Sequence, residues 1–136
     1  MNRTLLFSAT LAAATLWQCG AQAQVLYQFL PTDTQTWNSN ANWENPNGQN
    51  FVPEAQFNEG AIVNSGGTAF VSSSVAPVGS LLVGDTGQGT GHVEVRSGGT
   101  LAVNIPTQDP PLSGGVTSGN QGTGSITVLP GGTLTT

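Results

Sequence analysis

Short runs of alternating apolar and polar residues, broken by glycine-rich stretches, dominate the second half of the chain. In Val93-Glu94-Val95 and Leu101-Ala102-Val103 the apolar positions recur at every second residue. This predicts two short strands that point Val93, Val95, Leu101 and Val103 to one face. Between them Gly98-Gly99 supplies a turn that tolerates positive φ. The pattern then repeats. Val83–Val103 and Val116–Thr136 align without a gap at a spacing of 33, and nine of the sixteen positions from Gln88 to Val103 are identical. The second copy keeps the apolar face as Ile126, Val128 and Leu134. On the other face Glu94 is replaced by Thr127, Arg96 by Leu129 and Ala102 by Thr135. A fainter copy lies upstream, where Ala61–Val71 aligns with Val93–Val103 at an offset of 32. A fixed period of this size predicts a repeat architecture.

Two geometries fit one repeat. The two strands can fold back as an antiparallel hairpin about Gly98-Gly99. They can instead form one corner of a parallel β-helix coil, with each strand lying on its counterpart from the next repeat. The gapless offset favours the coil, because stacking equivalent positions buries one continuous apolar column. The expected class is therefore all-β, with rungs near 61–83, 84–115 and 116–136. Ser72–Val83 runs through a serine-rich link into a strand at Ser80–Val83, and the three prolines of Ile105–Leu112 mark a surface loop. No segment beyond the N-terminal leader carries helical apolar periodicity over three turns.

That leader is Met1–Ala23. Arg3 supplies a positive start, Leu5–Trp17 an apolar run, and Ala21-Gln22-Ala23 a small-residue cleavage site before Gln24, as in a secretory signal peptide. The run is too short to span a bilayer, so no membrane insertion is expected once the leader is removed. Leu16-Trp17-Gln18 does not suit a lipid-attachment site at Cys19, which is read as part of the leader. Cleavage would remove the sole cysteine, leaving a chain held by burial and backbone hydrogen bonds. That predicts a secreted or surface protein of a bacterial envelope. The formal charge of −5 becomes more negative still, because only Arg96 would then oppose seven carboxylates and there is no lysine. Nucleic acid and anionic lipid, which need several cationic contacts, are excluded as expected partners.

Residues 24–60 differ in texture. Tyr27, Phe29, Trp37, Trp43, Phe51 and Phe57 lie among Asn, Gln and Pro, with a turn at Pro46–Gly48. Trp37 and Trp43 admit two readings. They can form a stacking platform for sugar rings, or belong to an aromatic cap over the open end of the first coil, as repeat arrays require. The cap is favoured, since no convergent polar groups are evident nearby.

Catalytic chemistry is thin. His92 is the single histidine, its copy position is Ser125, and it falls on the face opposite Val93 and Val95. No nucleophile context accompanies it. Asp33, Glu44, Glu54, Glu59, Asp85, Glu94 and Asp109 are scattered singly, and no calcium-loop spacing is present. Asp85 reads as a turn residue bonding its own backbone. Gly87–Gly91 is followed by neither a helix nor a lysine, so it is not a phosphate loop. No cofactor, metal or catalytic residue is expected.

Taken in order, the motifs resemble a known class. A Trp-rich start with Asn42-Trp43, a strand with a Gly-Gly-Thr turn, Val78-Gly79-Ser80-Leu81-Leu82-Val83-Gly84, then Gly-Thr-Gly and Gly-Gly-Thr-Leu are similar to exported bacterial β-repeat proteins. Many of those carry autotransporter-type β-strand repeats, and many end in a PEP-CTERM sorting tail. The resemblance covers roughly Trp37–Thr136. It implies a right-handed parallel β-helix, or β-solenoid, displayed outside the cytoplasm without assigned catalysis. The chain carries no such tail, and its last predicted strand runs to Thr136, so further repeats in a longer parent protein are expected. The functional expectation is a non-catalytic structural or adhesive surface module. Its partners would be further repeats of the same chain, self-association, or extracellular polysaccharide. The alternative is a carbohydrate-binding or polysaccharide-lyase-like fragment using Trp37 and Trp43.

Overall fold

The computed structural model describes residues 24–84, 89–103, 115–119 and 121–136. The leader with Cys19, Asp85, Asp109 and the proline-rich 105–112 stretch lie outside the described residues. Within them the chain is all-β. Eleven strands run β1 Val25–Phe29, β2 Thr34–Thr36, β3 Trp43–Glu44, β4 Glu59–Val63, β5 Ser65–Val71, β6 Ser80–Val83, β7 Thr90–Val95, β8 Thr100–Ala102, β9 Gly115–Ser118, β10 Thr123–Val128 and β11 Thr133–Thr135. Two single 3-10 turns, Asn40–Asn42 and Ala55–Phe57, complete the regular structure.

The strands form three sheets, ordered β3-β1-β4-β6-β9, β10-β7-β5-β2 and β11-β8. The first is mixed, because β3 runs antiparallel to β1 with Phe29 opposite Trp43. Every other strand pair is parallel. The third sheet is continued by parallel bridges from Ser74 to Thr100 and from Val78 to Val103.

The 33-residue repeat is a pairing register. β10 lies on β7 with Ile126 opposite Val93 and Val128 opposite Val95, and β11 lies on β8 with Leu134 opposite Leu101. β7 pairs with β5 and β10, not with β8, so the hairpin alternative fails. The Gly-Gly step is a corner between sheets. Gly99 N–H donates to the Arg96 carbonyl at 2.9 Å, with φ +79° at Gly98; Gly132 donates to Leu129 at 2.9 Å, with φ +82° at Gly131. Positive φ at the third residue is the type II pattern, and Pro130 in the second copy occupies the position where proline presets φ. The next glycine is fixed by space. A Cβ on Gly99 would lie 2.2 Å from the Val71 carbonyl oxygen, and one on Gly132 2.5 Å from that of Val95.

The fainter upstream copy is corrected. An offset of 32 would set Val71 against Val103, yet β5 lies on β7 with Ala69 opposite Val93 and Val71 opposite Val95. Ala61 pairs instead with Tyr27 and Leu81. The cause is a change of role. Ser65-Gly66-Gly67-Thr68 shares its letters with Ser97-Gly98-Gly99-Thr100 but lies within β5, at a register irregularity between Ser65 and Thr68, with φ +92° at Gly66. The same residues that turn a corner downstream make a bulge here.

Inward positions of the parallel strands align in columns. Tyr27, Ala61 and Leu81 form one, Phe29, Val63 and Val83 another, and Val71 and Val95 a third, all buried. One end of this core is closed by aromatics: Phe29, Trp37 and Trp43 are each fully buried. At the other end the Val71–Val95 column finishes in Val128, which is 44% exposed. The aromatic-rich 24–60 segment also contributes β1 and β2, which pair in parallel with β4 and β5.

Candidate functional site

The sugar-platform reading of Trp37 and Trp43 is corrected by their burial. Both are 0% exposed. Their rings meet edge to face at 4.6 Å between centroids, and Phe29 meets Trp43 at 5.2 Å. The Trp43 indole N–H donates to the Trp37 carbonyl at 2.8 Å. Stacking a sugar requires an open ring face, and neither indole has one. Apolar burial of these large rings outweighs any gain from exposing them.

Among the described residues the large exposed aromatics are Phe51 and Phe57, which the sequence reading does not single out as contacts. Phe51 is 53% and Phe57 64% exposed. They line a cavity of about 370 Å³ with Asn40, Val52, Glu54 and Glu59. Bonds across the loops and one local turn build it. The Asn40 side-chain carbonyl accepts from Val52 N–H at 3.0 Å, and Ala55 N–H reaches the Pro77 carbonyl at 2.6 Å. Glu54 opens the Ala55–Phe57 turn, which Asn58 ends in the left-handed region at φ +57°. Glu59 then starts β4 and turns its carboxylate back to accept from Glu54 N–H at 2.9 Å.

Burial pushes the Glu59 carboxyl above its ordinary value, opposed by hydrogen bonds from the Glu54 backbone and the Tyr27 hydroxyl. Burial, followed by the Glu59 charge, likewise raises the Tyr27 hydroxyl. Asn45 completes the network. Its amide donates to the Tyr27 hydroxyl at 3.2 Å, while its carbonyl accepts from Asn47 and Gln49 N–H, both at 3.0 Å. That last pair shapes the Pro46–Gly48 turn anticipated from the sequence. The cavity therefore offers two ring faces and hydrogen-bond acceptors. It suits a ligand with an apolar face and donors, such as a neutral sugar, and it opposes an anionic one.

A larger groove of about 590 Å³ lies on the outer face of the first sheet, lined by Leu26, Gln28, Leu30, Glu44, Ile62 and the Asn45–Gly48 turn. It holds one carboxylate, Glu44, with no second titratable side chain lining it. His92 sits on the outer face of β7 with Nδ1 2.6 Å from the hydroxyl of Ser125, its own copy position. Arg96 is paired with Glu94 and lies 3.9 Å over the Phe70 ring. Among the described residues no group of three His, Cys, Asp or Glu is placed to hold a metal. No described helix is long and apolar enough to cross a membrane.

For the two exposed aromatics the sequence signal is weak, a mere lack of pattern. Phe51 and Phe57 flank Pro53 in a run of Asn, Gln and Glu with no alternation to bury them. Comparison with family models, with curated proteins and with solved structures returns no match.

Proposed function

We propose that this chain is a non-catalytic structural or adhesive module, exported to the bacterial surface and built as stacked turns of a right-handed parallel β-solenoid. The observation that carries the reading is the parallel pairing of β7 with β10 and of β8 with β11 at one common 33-residue offset. Such pairing makes each repeat the template for the next and leaves its outer face free to vary. A right-handed path is the usual sense for parallel strands joined by crossovers. The aromatic end serves as the cap. The test is expression of the whole gene in a bacterial host with an intact export system. The reading expects product outside the cytoplasm whose first residue is Gln24, with a far-UV β spectrum. Cytoplasmic product that keeps Met1, or a spectrum of unordered chain, refutes it.

One observation favours a second reading, contact with extracellular polysaccharide: the exposed Phe51 and Phe57 beside Glu54 and Glu59. A glycan array that retains neutral glycans on the parent chain, and loses them on Phe57→Ala, supports it. An array with no retained glycan removes it.

A further inference from the structure

The first residue after the predicted leader is seated by the fold. Gln24 precedes β1 and, like Leu26, points to the outer face of the first sheet, away from the buried Tyr27 and Phe29. Its side chain reaches across β4 to β6. There the Ser80 hydroxyl, on a residue only 5% exposed, donates to the Gln24 side-chain carbonyl at 2.9 Å. Neighbouring strands lie about 4.8 Å apart and β6 is two strands from β1, so the two side chains together bridge roughly 10 Å. The Gln24 side chain is thereby drawn away from its own backbone nitrogen.

Gly60 provides the slot. It pairs with Leu26 and stands one residue before the Ala61–Leu81 pair, beside Ser80. A Cβ there would lie 2.2 Å from Ser80 Oγ, 2.8 Å from Leu26 Cδ2 and 3.3 Å from Gln24 Cδ. Only glycine leaves the space that these three side chains fill. The Gln24 amide nitrogen, Nε2, is buried with no hydrogen-bond partner among the described residues. Burying an unpaired donor is unfavourable, so the Ser80 bond and the packing over Gly60 are what hold the amide in place.

Export gives this residue new chemistry. Cleavage after Ala23 turns the Gln24 backbone nitrogen from an amide into a free amine. The amine of an N-terminal glutamine can attack its own side-chain carbonyl carbon. The N–Cδ bond forms, the Cδ–Nε2 bond breaks, an amine proton passes to the departing nitrogen, and ammonia leaves. The product is pyroglutamate, a five-membered lactam without the charge of the amine. Closing that ring requires Cδ to fold back onto the α-nitrogen, and the Ser80 bond holds it in the other direction.

We propose that Gln24 is a latent modification site guarded by Ser80. In the folded mature chain it stays an open glutamine with a free amine, and release from the slot over Gly60 lets it close to pyroglutamate. The proposal rests on the export reading above.

The experiment follows the exported product of the whole gene by N-terminal sequencing and by intact mass during incubation at neutral pH, with far-UV circular dichroism of each sample. The folded parent is expected to lose ammonia far more slowly than the same chain unfolded in guanidinium chloride. Ser80→Ala removes the donor with little change in volume. It should lose ammonia about three- to tenfold faster than the folded parent, the factor set by one neutral hydrogen bond, while keeping the β spectrum. A folded parent that closes as fast as the unfolded chain overturns the proposal, whether or not the variant folds. A folded Ser80→Ala that closes no faster than the parent overturns it too. Both results leave export standing when the first residue is Gln24. A product that begins at Met1 overturns the export reading and this proposal together, and one cut at another residue overturns this proposal alone.

Discussion

Substituting alanine at two adjacent glycines separates conformational from steric causes. At Gly98 the backbone has φ +79°, and a Cβ would meet only the Ser72 carbonyl oxygen, at 3.6 Å. Gly98→Ala therefore meets the left-handed penalty alone, about 1–2 kcal/mol. At Gly99 the Cβ would lie 2.2 Å from the Val71 carbonyl oxygen, which also accepts from Arg96 N–H at 2.8 Å. Real contacts stay beyond about 3 Å, so the two backbones must part by most of an ångström. Overpacking of this kind costs about 1–3 kcal/mol, and weakening the Arg96 bond adds about 1 kcal/mol. Gly99→Ala should thus destabilise by about 2–4 kcal/mol, more than its neighbour. Urea unfolding, followed by the fluorescence of the buried Trp37 and Trp43, measures both variants. If Gly99→Ala proves no worse than Gly98→Ala, the close packing of corner against strand end is wrong as drawn.

Two further outcomes follow from the aromatic end and from Glu59. Trp43→Phe removes the indole donor, leaving the buried Trp37 carbonyl without that bond, and opens space beside Phe29; a loss of about 2–4 kcal/mol in urea unfolding is expected. A loss below about 1 kcal/mol would show that the bond carries no weight. Because the Glu59 carboxyl titrates higher folded than unfolded, the folded state holds its proton longer, and stability falls as pH rises through that interval. Glu59→Gln should flatten the decline just above the ordinary carboxylate range. An unchanged pH profile of the thermal midpoint would locate the decline elsewhere.

Much of the architecture was legible wherever local chemistry and period agreed. Val93 and Val95 alternate with polar neighbours, Ile126 and Val128 repeat them, and the corners carry glycine at the same places, so pairing at 33 could be read directly. The upstream register could not. Ser65–Thr68 and Ser97–Thr100 are the same four letters, and only the strand lying beside them decides between bulge and turn. The tryptophans left two readings open, of which burial agrees with the favoured cap. A large amphipathic ring suits both a binding face and a core, and its surroundings in sequence do not reveal which side is covered. Phe51 and Phe57 remained hidden because their exposure depends on a turn set by Asn58 and by a bond from Ala55 to distant Pro77.

The aromatic end has a consequence for how the molecule assembles. Trp37 and Trp43 are close neighbours along the chain, and Trp43 is bonded back to Trp37 across a short loop. Elsewhere, order requires residues some twenty to thirty-five positions apart to meet, as in Ala61 with Leu81 or Ser80 with Gly115. Closing small loops is faster and entropically cheaper than closing large ones. The tryptophan knot is thus the natural seed, and later strands are laid onto an edge that already exists. Loop closure thus favours growth in one direction, toward Thr136, like courses of brick rising from a finished footing.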